Sequence, residues 1–326
     1  MYVVLLHELA TRTLGVIQQD LPFFPTRVDW VDRLYPELEA SGVRTTNLGP
    51  GDDHYDVLLL GGSVLDWLHR DQQEALVREL RDASGRAVRL FNLARPALNT
   101  RDSLAKSREL ADRSFDLVIV YHAINELRLN NCPPDRFRND YTQGGWYRKV
   151  GIVERDADLS PWLCTPRILR FALIDLGQEP ALGWYLSRHR VREDWLAYGA
   201  EIRTAGPFRA NLEGILARGD PTLLCSFAWY LPDDYTDERF AAKALDYGKH
   251  VTPTGTWGRP ENVAEGLEVH NAILREVAAG HAHATLVDVD AAVPKDGRHF
   301  DDICHLTKLG GEIWVRLVVQ AVQSRP

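Results

Sequence analysis

Residues 56–67 read DVLLLGGSVLDW, and this stretch decides the fold. The apolar run 57–60 has the length and composition of a central strand in a parallel sheet, which is buried on both faces. Two glycines then permit a tight turn, and from Val64 onward the apolar residues recur at the spacing of an amphipathic helix. A strand, a glycine turn and a helix in this order indicate an α/β protein.

Ser63 lies in that turn, between the end of the predicted strand and the start of the predicted helix. Proteins with open α/β sheets bind their ligands at this carboxyl edge of the sheet. There the backbone N–H of Ser63 can face a developing oxyanion. Serine is also a frequent cap at the start of a helix. Taken alone, the segment leaves both roles open, helix cap and nucleophile.

A second feature lies near the C-terminus, where residues 301–311 read DDICHLTKLGG. A carboxylate three residues before a histidine can build the general-base half of a serine hydrolase, because it orients the imidazole that removes a proton from a hydroxyl. Asp302 and His305 have this spacing, and Asp301 is an alternative partner for His305. Cys304 lies between them, and its position beside the base favours packing over a role as thiol nucleophile.

A third feature follows residues 115–121, which read FDLVIVY and form another predicted buried strand. Asn125 comes just after it. An asparagine at such a place can direct its side-chain amide to the same edge of the sheet and donate to an oxyanion. The alternative is a turn residue that hydrogen-bonds to its own backbone.

Together these segments resemble the SGNH hydrolases, also called the GDSL esterase/lipase superfamily. Four blocks of that family appear in the family's order: GGS at 61–63, NLARPALNT at 92–100, AINE at 123–126 and DICH at 302–305. The resemblance spans the chain from about residue 57 to the C-terminus, interrupted by long insertions.

The resemblance implies a role for each matched residue. Ser63 would be the nucleophile, His305 the base and Asp302 its orienting carboxylate. The oxyanion hole would consist of the backbone N–H groups of Ser63 and Ala97 and the side-chain amide of Asn125. Neither a cofactor nor a metal is expected.

Four positions depart from the family pattern. Gly62 replaces an aspartate, Ala97 replaces a glycine, and Ala123 and Glu126 replace a glycine and an aspartate on either side of Asn125. The backbone N–H of Ala97 can still donate provided that the local φ is negative, because alanine disfavours a positive φ. Every proton-transfer group is retained, so we expect an active enzyme with a modified pocket.

Composition excludes several other classes. The chain has 326 residues, a net charge of -8 and ordinary hydrophobic and charged fractions, which argue against a nucleic-acid surface or an anionic-membrane patch. Its four cysteines share no metal-ligand spacing and are read as free thiols. No apolar run is long enough for a signal-peptide core or a membrane span. A cytoplasmic protein is therefore expected, although a removed leader stays open.

The resemblance also implies a three-layer α/β/α sandwich with a parallel, flavodoxin-like sheet of five strands. Residues 1–53 are predicted to form an N-terminal extension packed on the core. Residues 54–326 are predicted to form the hydrolase domain, with insertions at about 127–200 and 231–260. The helical pattern over about 160–199 fits a lid, a dimer surface or an extension of the core.

The expected function is cleavage of a carboxylic ester, O-acetyl esters included, through an acyl-enzyme. One alternative keeps the acyl-enzyme but transfers the acyl group, as an acyltransferase or a thioesterase-like cyclase. Another is a non-catalytic binding protein of the same fold. The expected partner is a small acyl ester or thioester, and the oligomeric state stays open. The candidates for substrate contact are Arg95, Trp67, Asn131 and Trp146.

Overall fold

A computed structural model of the protein describes residues 25–48, 52–66, 70–155 and 193–325, together with residues 13, 168, 170, 171, 173, 174 and 191. Five strands form one sheet: β1 (His54–Gly61), β2 (Ala87–Asn92), β3 (Leu117–Tyr121), β4 (Thr222–Cys225) and β5 (Ala284–Val287). Their order is β2-β1-β3-β4-β5, and all four neighbouring pairs are parallel. This is the flavodoxin-like order, so the predicted fold class is confirmed.

Helices connect the strands and close the chain. They are α1 (Arg27–Leu34), α2 (Glu37–Ala40), α3 (Ser63–Asp66), α4 (Arg70–Ser84), α5 (Thr100–Glu109), α6 (Ile124–Asn130), α7 (Gly145–Arg155), α8 (Ala205–Leu216), α9 (Asp237–Ala241), α10 (Pro260–Gly280), α11 (Val289–Ala292) and α12 (Lys308–Gln323). Two short 3₁₀ helices cover Glu193–Ala200 and Thr254–Thr256.

The sheet is covered on both faces, which explains the continuous apolar run of β1. Leu58 and Leu60 belong to the hydrophobic core on one face, and Val57 and Leu59 belong to the core on the other. The first core includes residues of α1, α5, α7 and α8, and the second includes residues of α4 and α12. Successive strand residues point to opposite faces, so a strand buried on both sides needs apolar residues throughout.

One buried carboxylate joins the N-terminal segment to the core. Asp102, on α5, accepts hydrogen bonds from Tyr35 Oη and Trp146 Nε1 at 3.0 and 2.8 Å, and from Tyr147 Oη and the Asn99 backbone N–H at 2.9 and 3.0 Å. Burial raises the pKa of this carboxyl, although the hydrogen bonds oppose that shift. Residues 25–48 therefore contact the core, whereas the division into an extension and a domain stays a prediction.

Two segments differ from what their sequence predicts. The sequence of 222–229 predicts a strand of that length, but β4 ends at Cys225. Beyond it the backbone N–H groups of Phe227 and Ala228 donate to the side chains of Asn271 and Tyr121, at 2.7 and 3.1 Å, so they cannot continue a strand ladder. The polar, glycine-containing sequence of 140–147 predicts a loop, whereas α7 begins within it at Gly145.

The predicted helical insertion is described only in part. Most of 160–199, including Trp184 and Tyr185, lies outside the described residues, so the lid interpretation stays a prediction. Cys132, Cys225 and Cys304 are buried free thiols, and Cys164 also lies outside the described residues. Within the described ranges, no helix combines the length and the apolar character that a membrane crossing requires.

Candidate active site

The site lies where the order of the sheet reverses. The chain leaves β1 toward β2 on one side, whereas β3 lies on the other side of β1. Ser63 begins α3 directly after β1, and Asn125 lies in α6 just after β3. The carboxyl ends of strands at such a switch point enclose the crevice in which open α/β sheets bind ligands.

Three distant residues form a continuous hydrogen-bonded chain at this edge. Ser63 Oγ lies 2.8 Å from His305 Nε2, and His305 Nδ1 lies 2.7 Å from Asp302 Oδ2. Both distances are those of good hydrogen bonds. The structure therefore brings together the hydroxyl, imidazole and carboxylate that the sequence analysis singled out.

Asp302 is held as an ionised acceptor. It is fully buried, and its Oδ1 accepts from the backbone N–H groups of Cys304 and His305, while its Oδ2 accepts from the N–H of Thr252, each at 2.9 Å. Burial alone would raise the pKa of this carboxyl, but the neighbouring His305 and the hydrogen bonds outweigh it and lower the pKa. An ionised Asp302 can only accept, so the hydrogen between it and His305 is carried by Nδ1, and in the neutral imidazole Nε2 is then the nitrogen that can accept from Ser63.

Two alternatives near His305 are resolved. Asp301 is hydrogen-bonded to Lys249 Nζ at 2.8 Å, so Asp302 and not Asp301 contacts the imidazole. Cys304 Sγ lies 3.6 Å from His305 Nδ1, but burial and the charge of Asp302 raise the pKa of the thiol well above its ordinary value. The ligand atoms of Asp302, Cys304 and His305 lie within 4.8 Å of one another. A neutral thiol is a poor metal ligand, and the imidazole of His305 is already hydrogen-bonded to Ser63. This arrangement therefore favours proton transfer between Ser63 and His305 over metal binding.

Two other hydroxyl–imidazole pairs make a useful contrast. Ser103 Oγ lies 2.7 Å from His122 Nε2, and Thr204 Oγ1 lies 3.2 Å from His270 Nε2. Burial lowers the pKa of both imidazoles to about 3, so neither can take up a proton near neutral pH. In the part of the chain that the structure describes, only His305 joins a hydroxyl on one ring nitrogen to a carboxylate on the other.

The carboxamide of Asn125 has a defined orientation. Its Nδ2 donates to the carbonyl of Leu98 at 2.8 Å, and its Oδ1 accepts from Trp257 Nε1 at 3.1 Å. The indole can only donate and the carbonyl can only accept, so the amide cannot be turned over without losing both bonds. Sequence reasoning missed Trp257, because it is 132 positions from Asn125 and no local pattern connects the two.

The glycine at position 62 follows from the same packing. A Cβ atom on Gly62 would lie 2.8 Å from Asn125 Nδ2 and 3.2 Å from the carbonyl oxygen of Leu98. The first distance is shorter than any ordinary contact of a methyl group, so the amide would have to move. The absence of a side chain at this position therefore lets the carboxamide lie against the residue that precedes Ser63.

The negative φ that alanine favours is not found at Ala97, so the condition set by the sequence is not met. Its φ is +64°, the left-handed conformation that favours glycine. Ala97 is the third residue of a turn closed by the N–H of Leu98 donating to the carbonyl of Arg95 at 3.3 Å. Turns with a positive φ at this residue favour glycine. Glycine would adopt this positive φ without strain, whereas alanine adopts it with strain.

We predict that Ala97→Gly stabilises the protein. Relief of the left-handed strain, on the order of 1–2 kcal/mol, exceeds the entropy that an added glycine contributes to the unfolded chain. A net gain of about 0.5–1 kcal/mol in the free energy of unfolding is expected, measured by urea denaturation. The matched control Ala105→Gly, inside α5, should lose about 1 kcal/mol. A loss of stability in Ala97→Gly would contradict this account.

Glu126, the other departure near Asn125, is directed away from the serine. Its Oε1 accepts from the backbone N–H and the hydroxyl of Thr100, both at 2.6 Å, at the start of α5. Its Oε2 is buried without a hydrogen-bond partner among the described residues. Burial raises the pKa of this carboxyl from 4.5 to about 7, although the bonds from Thr100 oppose the shift. Glu126 ties α6 to the segment that follows the Ala97 turn.

Glu126 should make stability depend on pH. The folded state holds its proton more tightly than the unfolded state, so its contribution is full below pH 4.5 and is lost as pH rises to about 7. Glu126→Gln removes this dependence. The variant should gain on the order of 2–4 kcal/mol relative to the unmodified protein between pH 4.5 and pH 8, measured by denaturant titration at each pH. An equal difference at both pH values would refute the assignment.

The four candidates for substrate contact have different surroundings. The side chain of Arg95 is 42% exposed, and its Nε lies 3.4 Å from the carboxylate of Glu37, which is buried. Asn131 is buried, and its Nδ2 donates to the carbonyls of Leu127 and Trp257. Trp146 is buried and donates to Asp102, and Trp67 lies outside the described residues. The burial and the hydrogen bonds of Asn131 and Trp146 therefore indicate that they stabilise the fold rather than contact a substrate.

No protein-family model and no curated protein matches the chain. The chain is similar to solved hydrolase structures. LAE5, an alpha/beta hydrolase enzyme from the metagenome of Lake Arreo, Spain, is 14% identical over 82% of this chain and 94% of that one, with a TM-score of 0.44. The lipase/acylhydrolase from Enterococcus faecalis is 15% identical over 83% and 96%, with a TM-score of 0.42. The extracellular lipase from Streptomyces rimosus is 13% identical over 82% and 99%, with a TM-score of 0.40. Likeness at these identities concerns the fold alone, so function depends on the geometry of the site.

Proposed function

We propose that the protein is a serine hydrolase of the SGNH type that cleaves a carboxylic ester through a covalent acyl-enzyme. The observation that carries the proposal is the hydrogen-bonded chain from Ser63 Oγ through the ring of His305 to Asp302, at 2.8 and 2.7 Å. Its position at the switch point of the sheet supports the same conclusion.

Acylation begins at the hydroxyl of Ser63. His305 Nε2 removes its proton while the oxygen attacks the ester carbonyl, and a tetrahedral oxyanion forms. The imidazolium is stabilised by the carboxylate of Asp302, which stays ionised. His305 then gives the proton to the leaving alkoxide, the ester C–O bond breaks, and the acyl group remains on Ser63. Water, activated by the same imidazole, releases the carboxylic acid and restores the serine.

The oxyanion would be held by three N–H donors: the backbone groups of Ser63 and Ala97 and the side chain of Asn125. The amide of Asn125 supports this role because it lies against Gly62, next to the nucleophile, with only one hydrogen engaged by Leu98 among the described residues. Removing one such donor typically costs about 2.7–4 kcal/mol of transition-state stabilisation.

The substrate class that fits best is an ester of a small acyl group, O-acetyl included. Ser63 and Asn125 are each 8% exposed, so only a small part of either side chain is accessible to an ester. A small acyl group can approach such a nucleophile at lower steric cost than a long chain.

A turnover and probe assay tests the proposal. The protein should hydrolyse p-nitrophenyl acetate faster than p-nitrophenyl decanoate, and a fluorophosphonate should inactivate it irreversibly with one equivalent bound. Inactivation without ester turnover would favour transfer of the acyl group to an alcohol or amine acceptor. Neither turnover nor inactivation would overturn the enzymatic proposal and favour a binding protein of this fold.

A further inference from the structure

The segment 248–258, here called the strap, contacts both halves of the candidate site. It belongs to the excursion between β4 and α10, and it runs beside the loop that carries Asp302. The backbone N–H groups of Gly248 and His250 donate to the carbonyls of Phe300 and Asp301, at 2.8 and 2.7 Å. The N–H of Thr252 donates to Asp302 Oδ2 at 2.9 Å.

Five residues further along, the strap reaches the other half of the site. Trp257 is 3% exposed, and its Nε1 donates to Asn125 Oδ1 at 3.1 Å. Its backbone carbonyl accepts from Asn131 Nδ2, which fixes the main chain of the strap against the end of α6. The ring packs in the same hydrophobic core as Ile124 and Leu127 of that helix.

We infer that Trp257 is a positioning residue that acts through Asn125. The inference rests on the proposed function. The carboxamide is held between a donor-only indole, an acceptor-only carbonyl at Leu98 and the bare backbone of Gly62. One hydrogen of Nδ2 is thereby engaged, and the other is oriented for the oxyanion. Preorganised donors stabilise developing charge because they need not reorient when it appears.

The strap links the positioning of Asn125 to the proposed base, His305, through Asp302. The carboxylate of Asp302 and the amide of Asn125 are far apart in sequence, yet Thr252 and Trp257 of one short segment contact both. The strap thus affects two properties of the site. It fixes the orientation of the Asn125 amide, and it hydrogen-bonds to the carboxylate of Asp302 that orients His305. Trp257, a buried residue in contact with Asn125, therefore controls how well the oxyanion hole is formed.

Trp257→Phe tests the inference, because it removes the indole N–H and keeps an aromatic ring. We expect kcat for p-nitrophenyl acetate to fall about tenfold, with KM changed less than about twofold, since the lost interaction acts on the oxyanion and not on the bound ester. The matched control is Trp314→Phe. The Nε1 of Trp314 is buried without a hydrogen-bond partner among the described residues, so its kcat should stay within about twofold.

A double-mutant cycle separates positioning from a general structural defect. In the Asn125→Ala background, Trp257→Phe should lower kcat by less than about twofold, because the amide on which it acts is gone. An equal tenfold loss in both backgrounds would overturn the inference, and so would an unchanged kcat in Trp257→Phe alone. Failure of the proposed function looks different: the unmodified protein would then neither turn over the ester nor react with a fluorophosphonate.

Discussion

Replacing Ser63 by alanine should lower kcat/KM for ester hydrolysis by a factor on the order of 10⁴ or more. Alanine removes the hydroxyl that lies 2.8 Å from His305 Nε2. Water would then have to attack the ester directly, without a covalent intermediate. Initial rates with p-nitrophenyl acetate, measured with purified protein and compared with the uncatalysed rate, give the effect. The fold should persist, because Ser63 makes no other hydrogen bond through its side chain that the structure describes.

Ser103→Ala is the matched control for that experiment. Ser103 Oγ lies 2.7 Å from His122 Nε2, a distance similar to that between Ser63 and His305. Ser103, however, is fully buried, and burial lowers the pKa of His122 to about 3. The variant should lose stability, by about 1–3 kcal/mol, because a buried ring nitrogen loses its partner. Its kcat should stay within about threefold. Equal activity losses in Ser63→Ala and Ser103→Ala would show that neither serine is the specific nucleophile.

Asp302→Asn should lower kcat by about 10⁴. The carboxylate accepts four hydrogen bonds, from three backbone N–H groups and from His305 Nδ1. An amide places an NH₂ group against at least one of these donors. The imidazole relieves that conflict by moving its proton to Nε2, where it can no longer accept from Ser63. Stopped-flow or steady-state turnover measures the loss, and circular dichroism checks the fold.

Asp301→Asn is the matched control for Asp302→Asn, because it replaces the neighbouring carboxylate by the same amide. Asp301 pairs with Lys249 and does not contact the ring of His305 in the described structure. Its kcat should change by less than about threefold. A large loss in Asp301→Asn together with a small one in Asp302→Asn would reverse the assignment of the carboxylate.

Local sequence patterns were sufficient for the sheet. The strands around Val57 and Val118 are buried on both faces and therefore apolar throughout, and the alternation with helices predicted parallel pairing. The end of β4 was not predictable in this way. Residues 227–229 are apolar, but the N–H groups of Phe227 and Ala228 donate to the side chains of Asn271 and Tyr121, which lie far away in the sequence.

The residues of the candidate site show the same difference between what local sequence predicts and what depends on tertiary packing. Asp302 and His305 are three positions apart, so the sequence could suggest their contact, and the turn after β1 could suggest an exposed edge for Ser63. The positive φ of Ala97 and the contacts of Trp257 and Thr252 depend on tertiary packing that no short pattern records. From the sequence, Gly62 is only a departure from the aspartate of the family pattern, whereas the structure gives it a steric reason in the neighbouring amide of Asn125.

Mapping the fluorophosphonate adduct by peptide mass spectrometry tests the central claim most directly. One phosphonyl group should be found on Ser63 of the unmodified protein, because Ser63 is the proposed nucleophile and its Oγ lies 2.8 Å from His305 Nε2. Labelling should persist in Ser103→Ala and vanish in Ser63→Ala. An adduct on any other residue, or undiminished labelling of Ser63→Ala, would contradict the account.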